Sequence, residues 1–477
     1  MTDILRPLYH FTPPSGWLND PNGMVYDAGE YHLFYQHHPT SLVWDSMHWG
    51  HAVSRDLVRW EHLPIALAPD ALGTIFSGSA VVDERDTAEF GVGALVAAFT
   101  YAADRTQTQA LAFSADHGRS WIKYAGNPVL LPEDGRVDFR DPKVFWYGQG
   151  GVGHWMMALS AGDSIWLYRS PDLKHWVRTS IFGHGYGAHG GVWETPDLFE
   201  LPIDGEPATK WVLVVAVMTG APAGGSGVQY FVGEFDGATF TCDDPPEHVR
   251  WADLGADFYA PQSWSNVPGG RRIWLAWMNN WSYARQVPAS TWRGSMTLPR
   301  DLALTRTSEG VRLTQRPTPE LARLRGARHS WSHQTIAAGR HMLEGVVGDA
   351  LEIVAVFNVD PTAAERFGVQ VRVGEQERTT IGYDARRGEL YLDRSQAGQM
   401  VPGFDLPQAA PLALKDRPLE LRIFVDRASV EVFAEDGRVV LTNQIFPSAA
   451  SSGVALFSEG GPAQLIALDV YELAPAS

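Results

Sequence analysis

Short alternating runs of apolar and polar residues dominate the chain, and long helical periodicity is absent. Turn-forming residues bound most of these runs, and this pattern predicts β-strands rather than helices. In the first three hundred residues we predict strands within residues 31–35, 94–101, 155–159, 210–217 and 272–278. The pattern therefore indicates an all-β protein.

Two series of residues recur along this first part at intervals of about sixty positions. One series marks polar turns that each lead to an aromatic residue: Asp56, Asp116, Asp172 and Asp236. The other series runs ahead of the first and contains Asp20, Ser77, Asp141, Glu194 and Tyr259. Repeats of this size, with several strands each, are typical of propeller blades, and five of them fill residues 1–305. We expect the second series to lie on the innermost strand of each blade and to point at one axial funnel.

The sequence changes character after Pro299. A proline-capped segment over residues 317–324 indicates a short helix or linker. From Gly345 onward apolar and polar residues alternate, as in the antiparallel strands of a β-sandwich. We therefore predict a five-bladed β-propeller over residues 1–305, a linker over 306–330 and a C-terminal β-sandwich over 331–477.

Composition excludes several classes of function. The net charge of −17 argues against a polyanionic partner such as nucleic acid. No run of about 18 apolar residues is present, so we expect no membrane span. The first residues lack the pattern of a secretory leader, which predicts a cytoplasmic protein, with a processed secreted form as the alternative. The single cysteine, Cys242, fits a reducing compartment. The 18 tryptophans suit a carbohydrate site, because aromatic faces pack against the C–H faces of sugars.

Three acidic motifs stand in the first part of the chain: Trp17-Leu18-Asn19-Asp20-Pro21-Asn22-Gly23, Phe139-Arg140-Asp141-Pro142 and Trp193-Glu194-Thr195-Pro196-Asp197. Each carboxylate stands among bulky, turn-forming or amide residues rather than in a solvated run of charges. Such surroundings hold a carboxylate still and change its affinity for protons. Two carboxylates in different environments, with a third nearby, are what a retaining glycosidase needs.

In order and spacing, these motifs resemble the signatures of glycoside hydrolase family 32, which contains invertases, exo-inulinases, levanases and related fructosyltransferases. The resemblance extends to residues 31–36, 76–78, 258–262 and 277–281, and to 422–426 and 430–433 near the C-terminus. It implies a five-bladed propeller followed by a β-sandwich, which the repeats indicate separately. It also implies retaining, exo-acting hydrolysis of terminal β-D-fructofuranosyl linkages in a saccharide or fructan, with no cofactor and no metal ion.

The resemblance also implies a role for each carboxylate. Asp20 matches the nucleophile that forms a covalent fructosyl-enzyme, and Glu194 matches the general acid/base. Asp141 matches a third carboxylate that holds sugar hydroxyls and stabilises the transition state. Seven further residues match positions that line the pocket for the terminal fructose: Asn19, Gln36, Trp44, Phe76, Ser77, Arg140 and Trp281. Tyr259 and Gln262 lie in another matching motif.

The chain departs from the family pattern beside Glu194. The family usually has cysteine after the acid/base, whereas this chain has Thr195. A hydroxyl donates and accepts hydrogen bonds where a thiol does so weakly, so we expect a changed pH optimum without assigning its direction. The neighbouring Trp193 and Pro196, together with the other two carboxylates, favour the protonated form that the acid role requires.

Three alternatives share these residues or this architecture. A fructosyltransferase would deliver the covalent intermediate to a sugar instead of water. A non-catalytic sugar-binding propeller would lack at least one carboxylate, and an arabinan-type hydrolase has a comparable acidic set. Sucrose, inulin and levan share one terminal unit, so we expect selectivity to depend on mouth loops such as residues 183–191 and 221–227. No pattern indicates an oligomeric state.

Overall fold

The structure, a computed structural model, describes residues 4–133, 135–149, 152–360, 362–404, 406, 408–414 and 417–476. Strands and turns form most of these residues, and the helices among them are three short 3-10 turns: Pro268–Gly270, Pro319–Leu324 and Glu435–Gly437. The protein is therefore all-β, which confirms the predicted class. No helix within the described ranges is long and apolar enough to cross a membrane.

The described residues up to Pro317 form five sheets, which we number in chain order. Sheet one contains Gly16–Asp27, Glu30–His38, His48–Ser54 and Glu61–Leu67, with the short strand Trp292–Arg293 parallel to the first. Sheet two contains Thr74–Asp83, Ala94–Ala103, Thr106–Ser114 and Ile122–Lys123. Sheet three contains Arg140–Gln149, Val152–Ser160, Ile165–Ser170 and Val177–Phe182. Sheet four contains Trp193–Pro202, Thr209–Val217, Gly227–Phe235, Phe240–Cys242 and Arg250–Trp251. Sheet five contains Tyr259–Ser263, Ile273–Trp277, Arg300–Thr307 and Gly310–Pro317.

Two six-stranded sheets follow, and they share one apolar core. In spatial order, sheet six contains Arg325–Ile336, Ala463–Leu473, Leu351–Asn358, Leu419–Asp426, Ser429–Ala434 and Val439–Gln444. Sheet seven contains Gly339–Val347, Gly453–Glu459, Arg366–Val373, Arg378–Asp384, Glu389–Gln396 and Gln408–Pro411. Alternate side chains such as Ile353 and Leu421 of sheet six pack with Val369 and Ile381 of sheet seven. The alternation read in the sequence thus places one face of each strand in this core.

The first strand of each of the five sheets contacts the first strand of the next, and the first strand of sheet five contacts that of sheet one. These strands carry one predicted series in full: Asp20, Ser77, Asp141, Glu194 and Tyr259. The other series lies in turns between the third and fourth strands of sheets one to four. There the aspartate side chains accept backbone N–H groups, as Asp56 does from Val58 and Arg59. Both series therefore mark equivalent positions of repeated sheets.

The pairing of each first strand with its neighbour shifts at or beside the residue of the second series: Asp20, Ser77, Asp141, Glu194 or Tyr259. Two residues of the strand face one residue of its neighbour: 19–20 face Gln36, 141–142 face Leu159 and 195–196 face Val215. The pairing of the first strands in sheets two and five shifts at Ser77 and after Tyr259. A bulge bends a strand and redirects its side chains, so these five strands turn the marked residues out of the regular ladder.

The connection between sheets five and six is shorter than the linker predicted over residues 306–330. Gly310–Pro317 pairs with Arg300–Thr307 as the last strand of sheet five, and Arg325 already begins sheet six. The polar residues 305–310 form the tip of this hairpin rather than a linker. Residues 318–324, which include the 3-10 helix Pro319–Leu324, are what remains between the two sets of sheets.

A buried ionic cluster joins the N-terminal segment to sheets five and six. His10 contacts Asp426 Oδ2 through Nδ1 at 2.8 Å and Glu431 Oε1 through Nε2 at 2.9 Å. Glu431 also accepts a hydrogen bond from Arg300 Nη2 at 2.5 Å, and Arg300 pairs with Asp253 at 3.2 Å. Burial disfavours the imidazolium, but hydrogen bonds and charges of the two carboxylates outweigh burial and raise the pKa of His10 to about 9.

We predict that His10→Ala lowers the free energy of unfolding by about 3 kcal/mol near pH 6, because buried Asp426 loses the cation bonded to it and buried Glu431 keeps only Arg300. The pKa of His10 is raised from 6.5 to about 9, so this stabilisation is complete below pH 6.5 and is lost as the pH rises through about 9. Denaturant unfolding at pH 6 and pH 10 measures the difference. The matched control is His175→Ala, which removes an exposed pair with Asp172 and should change little. An unchanged midpoint for His10→Ala at pH 6 would contradict the prediction.

Candidate active site

A cavity of about 380 Å³ lies where the first strands of sheets one to four begin. All ten residues that the sequence assigns to the site line it: Asn19, Asp20, Gln36, Trp44, Phe76, Ser77, Arg140, Asp141, Glu194 and Trp281. Four further lining residues were not predicted: Gln107, Asp138, Met218 and Arg285. The structure therefore brings together lining residues that are up to 266 positions apart in the sequence, from Asn19 to Arg285.

Asp20 is held by a hydrogen bond to each carboxylate oxygen. Asn19 Nδ2 donates to Oδ1 at 2.9 Å, and Ser77 Oγ donates to Oδ2 at 2.7 Å. The Asn19 side chain is itself oriented by Trp17, whose Nε1 donates to Asn19 Oδ1 at 2.8 Å. The bulge at residues 19–20 and the shift at Ser77 thus place the carboxylate between two sheets with a fixed orientation.

Arg140 is the lining residue whose cation bonds a carboxylate of the predicted set. Its Nη2 and Nε donate to Glu194 Oε1 at 2.9 Å and 3.2 Å, and its Nη1 donates to Asp138 Oδ1 at 2.5 Å. Gln107 Oε1 also accepts from Nη1, at 3.3 Å, and from the backbone N–H of Phe139. The guanidinium is therefore clamped between an unpredicted pair, Asp138 and Gln107, and presents its other edge to Glu194.

Tyr259 completes the surroundings of Glu194 although it does not line the cavity. Its hydroxyl donates to Glu194 Oε2 at 2.5 Å, so both carboxylate oxygens accept hydrogen bonds. Asp141 is buried beside this pair, and its Oδ2 accepts the backbone N–H of Thr195 at 2.9 Å. The residue after Glu194 therefore links the acidic motifs of sheets three and four.

Burial and neighbouring charges change the protonation of two of the three carboxylates, Asp20 and Asp141. Burial is the main cause that raises the pKa of Asp20 to about 6; the charge of Glu194 adds to it, and hydrogen bonds to Asp20 oppose it. Burial also raises the pKa of Asp141 to about 7, against the opposing charge of Arg140 and with the charges of Glu194 and Asp20. Near neutral pH the cavity therefore retains protons that isolated carboxylates would have lost.

Aromatic side chains form the walls above these polar groups. The rings of Trp44 and Phe76 pack edge to face with centroids 5.6 Å apart. Trp281 stacks on Trp17 at 6.2 Å and packs against Trp277 at 4.7 Å. The walls of the cavity are thus apolar, and its floor carries hydrogen-bonding groups. A sugar needs both, because it has C–H faces and hydroxyls.

Gln262 lies below the cavity rather than in it. Its Nε2 donates to the backbone oxygens of Thr195 and Pro196, at 3.1 Å each, and so supports the bulge that follows Glu194. The hydroxyl of Thr195 is buried and makes no hydrogen bond to any described residue. The expected effect of this threonine on the pH optimum stays a prediction, and it has no direct hydrogen bond to Glu194 to carry it.

The loops that the sequence singled out at the cavity mouth do not line the cavity. The second loop, residues 221–227, instead supports a residue that does: the Ser226 hydroxyl accepts the backbone N–H of Trp281 at 3.0 Å. The described lining residues at this side are Met218 and Arg285. The expectation that the two loops determine selectivity between linkages stays a prediction.

A larger cleft of about 760 Å³ lies between the last hairpin of sheet five and sheets six and seven. Its arginines are ion-paired, as Arg316 is with Asp436 and Arg417 with Glu435, and no aromatic residue is among its described lining residues. Its described lining residues therefore provide no aromatic wall to bind a sugar. The residues that the structure describes contain no group of three or more His, Cys, Asp or Glu that could hold a metal ion.

A cavity that gathers three carboxylates from separate sheets, with an arginine on one of them and aromatic walls, has the groups for acid/base and nucleophilic chemistry at an acetal carbon. This arrangement defines the protein as a glycoside hydrolase. Residues 10–317 match the model of the glycosyl hydrolases family 32 N-terminal domain, and residues 320–472 match that of the family 32 C-terminal domain. The chain therefore belongs to glycosyl hydrolases family 32, which confirms the resemblance seen in its motifs.

Known relatives agree with this assignment. The chain is 52% identical over 478 residues to a levanase from Bacillus subtilis (strain 168), covering 98% of the chain and 70% of that levanase. A crystal structure of exo-inulinase from Aspergillus awamori superposes with a TM-score of 0.94 at 35% identity, with 99% of both chains covered. The structure of fructofuranosidase from Schwanniomyces occidentalis complexed with fructose superposes with a TM-score of 0.90 at 33% identity, again over 99% of both chains.

We predict that Tyr259→Phe lowers kcat about tenfold and leaves KM within about twofold, because Glu194 loses one of the donors that hold it. Steady-state kinetics measure both constants. The matched control is Tyr101→Phe, which removes a 2.7 Å hydroxyl–carboxylate bond to Asp70 away from the cavity. Equal kinetic changes in both variants would refute a specific role for Tyr259.

We predict that Asp141→Asn stabilises the fold by about 1–3 kcal/mol at pH 8 and by little at pH 4. The pKa of Asp141 is raised from 3.8 to about 7, so the unfolding free energy of the natural protein falls as pH rises across that window. Calorimetric unfolding at the two pH values measures this. Asp172→Asn is the control of opposite sign, because hydrogen bonds from His175 outweigh burial and lower the pKa of Asp172. A variant less stable than the natural protein at pH 8 would count against the prediction.

Proposed function

We propose that the protein is a retaining, exo-acting β-fructosidase that releases fructose from the ends of fructans and from sucrose. The observation that carries this proposal is the cluster of Asp20, Asp141 and Glu194 on the floor of one cavity in a family 32 chain. The names of its relatives, a levanase and an exo-inulinase, support fructan as substrate and hydrolysis over transfer. The complex of a structural neighbour with fructose supports the sugar that fills the cavity.

In the first step, Asp20 attacks the anomeric carbon of the terminal fructosyl unit and the bond to the leaving oxygen breaks. Glu194 gives its proton to that oxygen, so the leaving sugar departs as a neutral alcohol. Asp20 has to be ionised for this attack, and the bonds from Asn19 and Ser77 favour the ionised form. Its pKa of about 6 places the acidic limb of activity near that pH.

In the second step, Glu194 takes a proton from water, which attacks the fructosyl carbon and releases Asp20. Two inversions at one carbon give net retention of configuration. Asp141 accepts hydrogen bonds from sugar hydroxyls, and Arg140 stabilises Glu194 when it is ionised between the two steps. The bond from Tyr259 serves the same ionised state.

The depth of the cavity supports exo action. Asn19, Gln36, Ser77 and Asp141 on the floor are each at most 5% exposed, so the chain closes the cavity below the terminal sugar. A fructan that continued on both sides of the reacting unit would need an open cleft instead. The substrate therefore enters end first, and one fructose leaves per cycle.

We also infer that sheets one to five are the blades of a closed five-bladed propeller and that sheets six and seven form a β-sandwich. The contacts between successive first strands, which return to sheet one, support closure. The shared core of sheets six and seven supports the sandwich. The TM-score of 0.94 to an exo-inulinase structure supports both parts.

We predict that Asp20→Asn and Glu194→Gln each fold normally and lose at least about a thousandfold in kcat on sucrose, inulin and levan. Each replacement keeps the shape of the side chain but removes the nucleophile or the transferable proton. Fructose release measures turnover, and unfolding midpoints establish that the variants fold. NMR of the first product formed by the natural protein should show the β-anomer. Near-natural turnover by either variant, or an inverted product, would overturn the mechanism.

A further inference from the structure

Arg285 stands at the mouth of the cavity, and the mechanism above gives it no role. It lines the same cavity as the carboxylates, yet its side chain is exposed, whereas Asn19 and Gln36 on the floor are 2% exposed. Asn19 and Gln36 therefore lie deeper in the cavity than Arg285. A terminal fructose that reaches Asp20 leaves the next sugar of the chain at the level of Arg285.

The guanidinium of Arg285 is unpaired among the described residues, in which no carboxylate or other acceptor bonds to it. Arg140 in the same cavity is saturated by Asp138, Gln107 and Glu194. An arginine presents five N–H donors in a rigid fork, and two adjacent hydroxyls of a neutral sugar can accept from it together. The net charge of the chain is −17, and its carboxylates pair with many of its other arginines. An arginine such as Arg285, with no such pair among the described residues, is therefore unusual in this chain.

The backbone that carries Arg285 is fixed in advance. Asn280 Nδ2 donates to the backbone oxygens of Gly224 and Ala256 at 2.9 Å and 2.8 Å. The Tyr283 hydroxyl donates to Asp257 Oδ1 at 2.7 Å, and both groups bind Arg394 of sheet seven. A pre-positioned segment loses less conformational entropy when its side chain binds a ligand.

We propose that Arg285 binds hydroxyls of the leaving sugar, the unit directly beyond the scissile bond, and so sets the preference for saccharides over small fructosides. This inference rests on the proposed function and adds the leaving-group contact to it. Arg285 gains its hydrogen bonds when substrate binds and keeps them in the transition state. The contact therefore lowers KM and leaves kcat nearly unchanged.

The test compares three substrates: sucrose, a short fructan such as 1-kestose, and methyl β-D-fructofuranoside, whose leaving group is too small to reach the mouth. Arg285→Gln should raise KM roughly tenfold for sucrose and 1-kestose with kcat within about twofold. Its kcat/KM for the methyl fructoside should equal that of the natural protein. Arg285→Lys keeps the charge without the fork and should recover only part of the affinity.

The matched control is Arg55→Gln, which removes the same charge from an exposed arginine away from the cavity and should leave all three substrates unaffected. An equal loss on the methyl fructoside would place Arg285 in the pocket for the terminal fructose and overturn the inference. Unchanged KM for sucrose and 1-kestose would also overturn it. If the natural protein released fructose from none of the three, the proposed function itself would fail, and that outcome is distinct from the other two.

Discussion

The site depends on one constraint: three carboxylates share a buried cavity with a single paired guanidinium. Arg140 is the only cation among the described lining residues that bonds a carboxylate of the set, and it bonds Glu194 rather than Asp20 or Asp141. Burial opposes its charge, but the nearby carboxylates outweigh burial and raise the pKa of Arg140 above its ordinary value. The cation is therefore permanent, and proton exchange in the cavity occurs among the carboxylates. In the mechanism that we propose, this division lets Asp20 act as nucleophile while Glu194 carries the transferable proton.

The bulges explain how a regular β-structure creates this arrangement. Side chains of a strand alternate strictly between two faces, so a continuous ladder would send neighbouring polar residues to opposite sides. With two residues opposite one, the first strands of sheets one, three and four redirect their acidic motifs. Positive backbone φ at Asp141, 65°, and at Thr195, 46°, accompanies two of these bulges. Such backbone is unfavourable for residues other than glycine, and the paired sheets on either side hold it in place.

The sequence predicted features that repeat, and it missed features that depend on pairing between distant strands. The all-β class and the two series follow from period and turn chemistry, whereas the ten lining residues follow from the resemblance of the motifs to those of family 32. Gln107 gives no such signal, because its importance comes from Arg140, 33 positions later in another sheet. The sequence likewise gives no signal for the role of His10, since its partners lie 416 and 421 positions away. The length of the connection to sheet six was overestimated because a polar hairpin tip resembles a linker. The cytoplasmic location stays a prediction, since the folded residues carry no information on it.

Sheets six and seven influence the site without lining it, because every described lining residue of the cavity lies between positions 19 and 285. The contacts of sheet seven with the segments beside the site are made by buried charged side chains. Arg394 of sheet seven bonds Asp257, two residues before Tyr259, and also Tyr283, two residues before Arg285. A buried ion pair adds little net stability compared with apolar packing, but leaving one partner unpaired costs several kcal/mol, so such pairs select one geometry. Arg394 therefore helps to fix the segments that carry Tyr259, the partner of Glu194, and Arg285 at the mouth of the cavity.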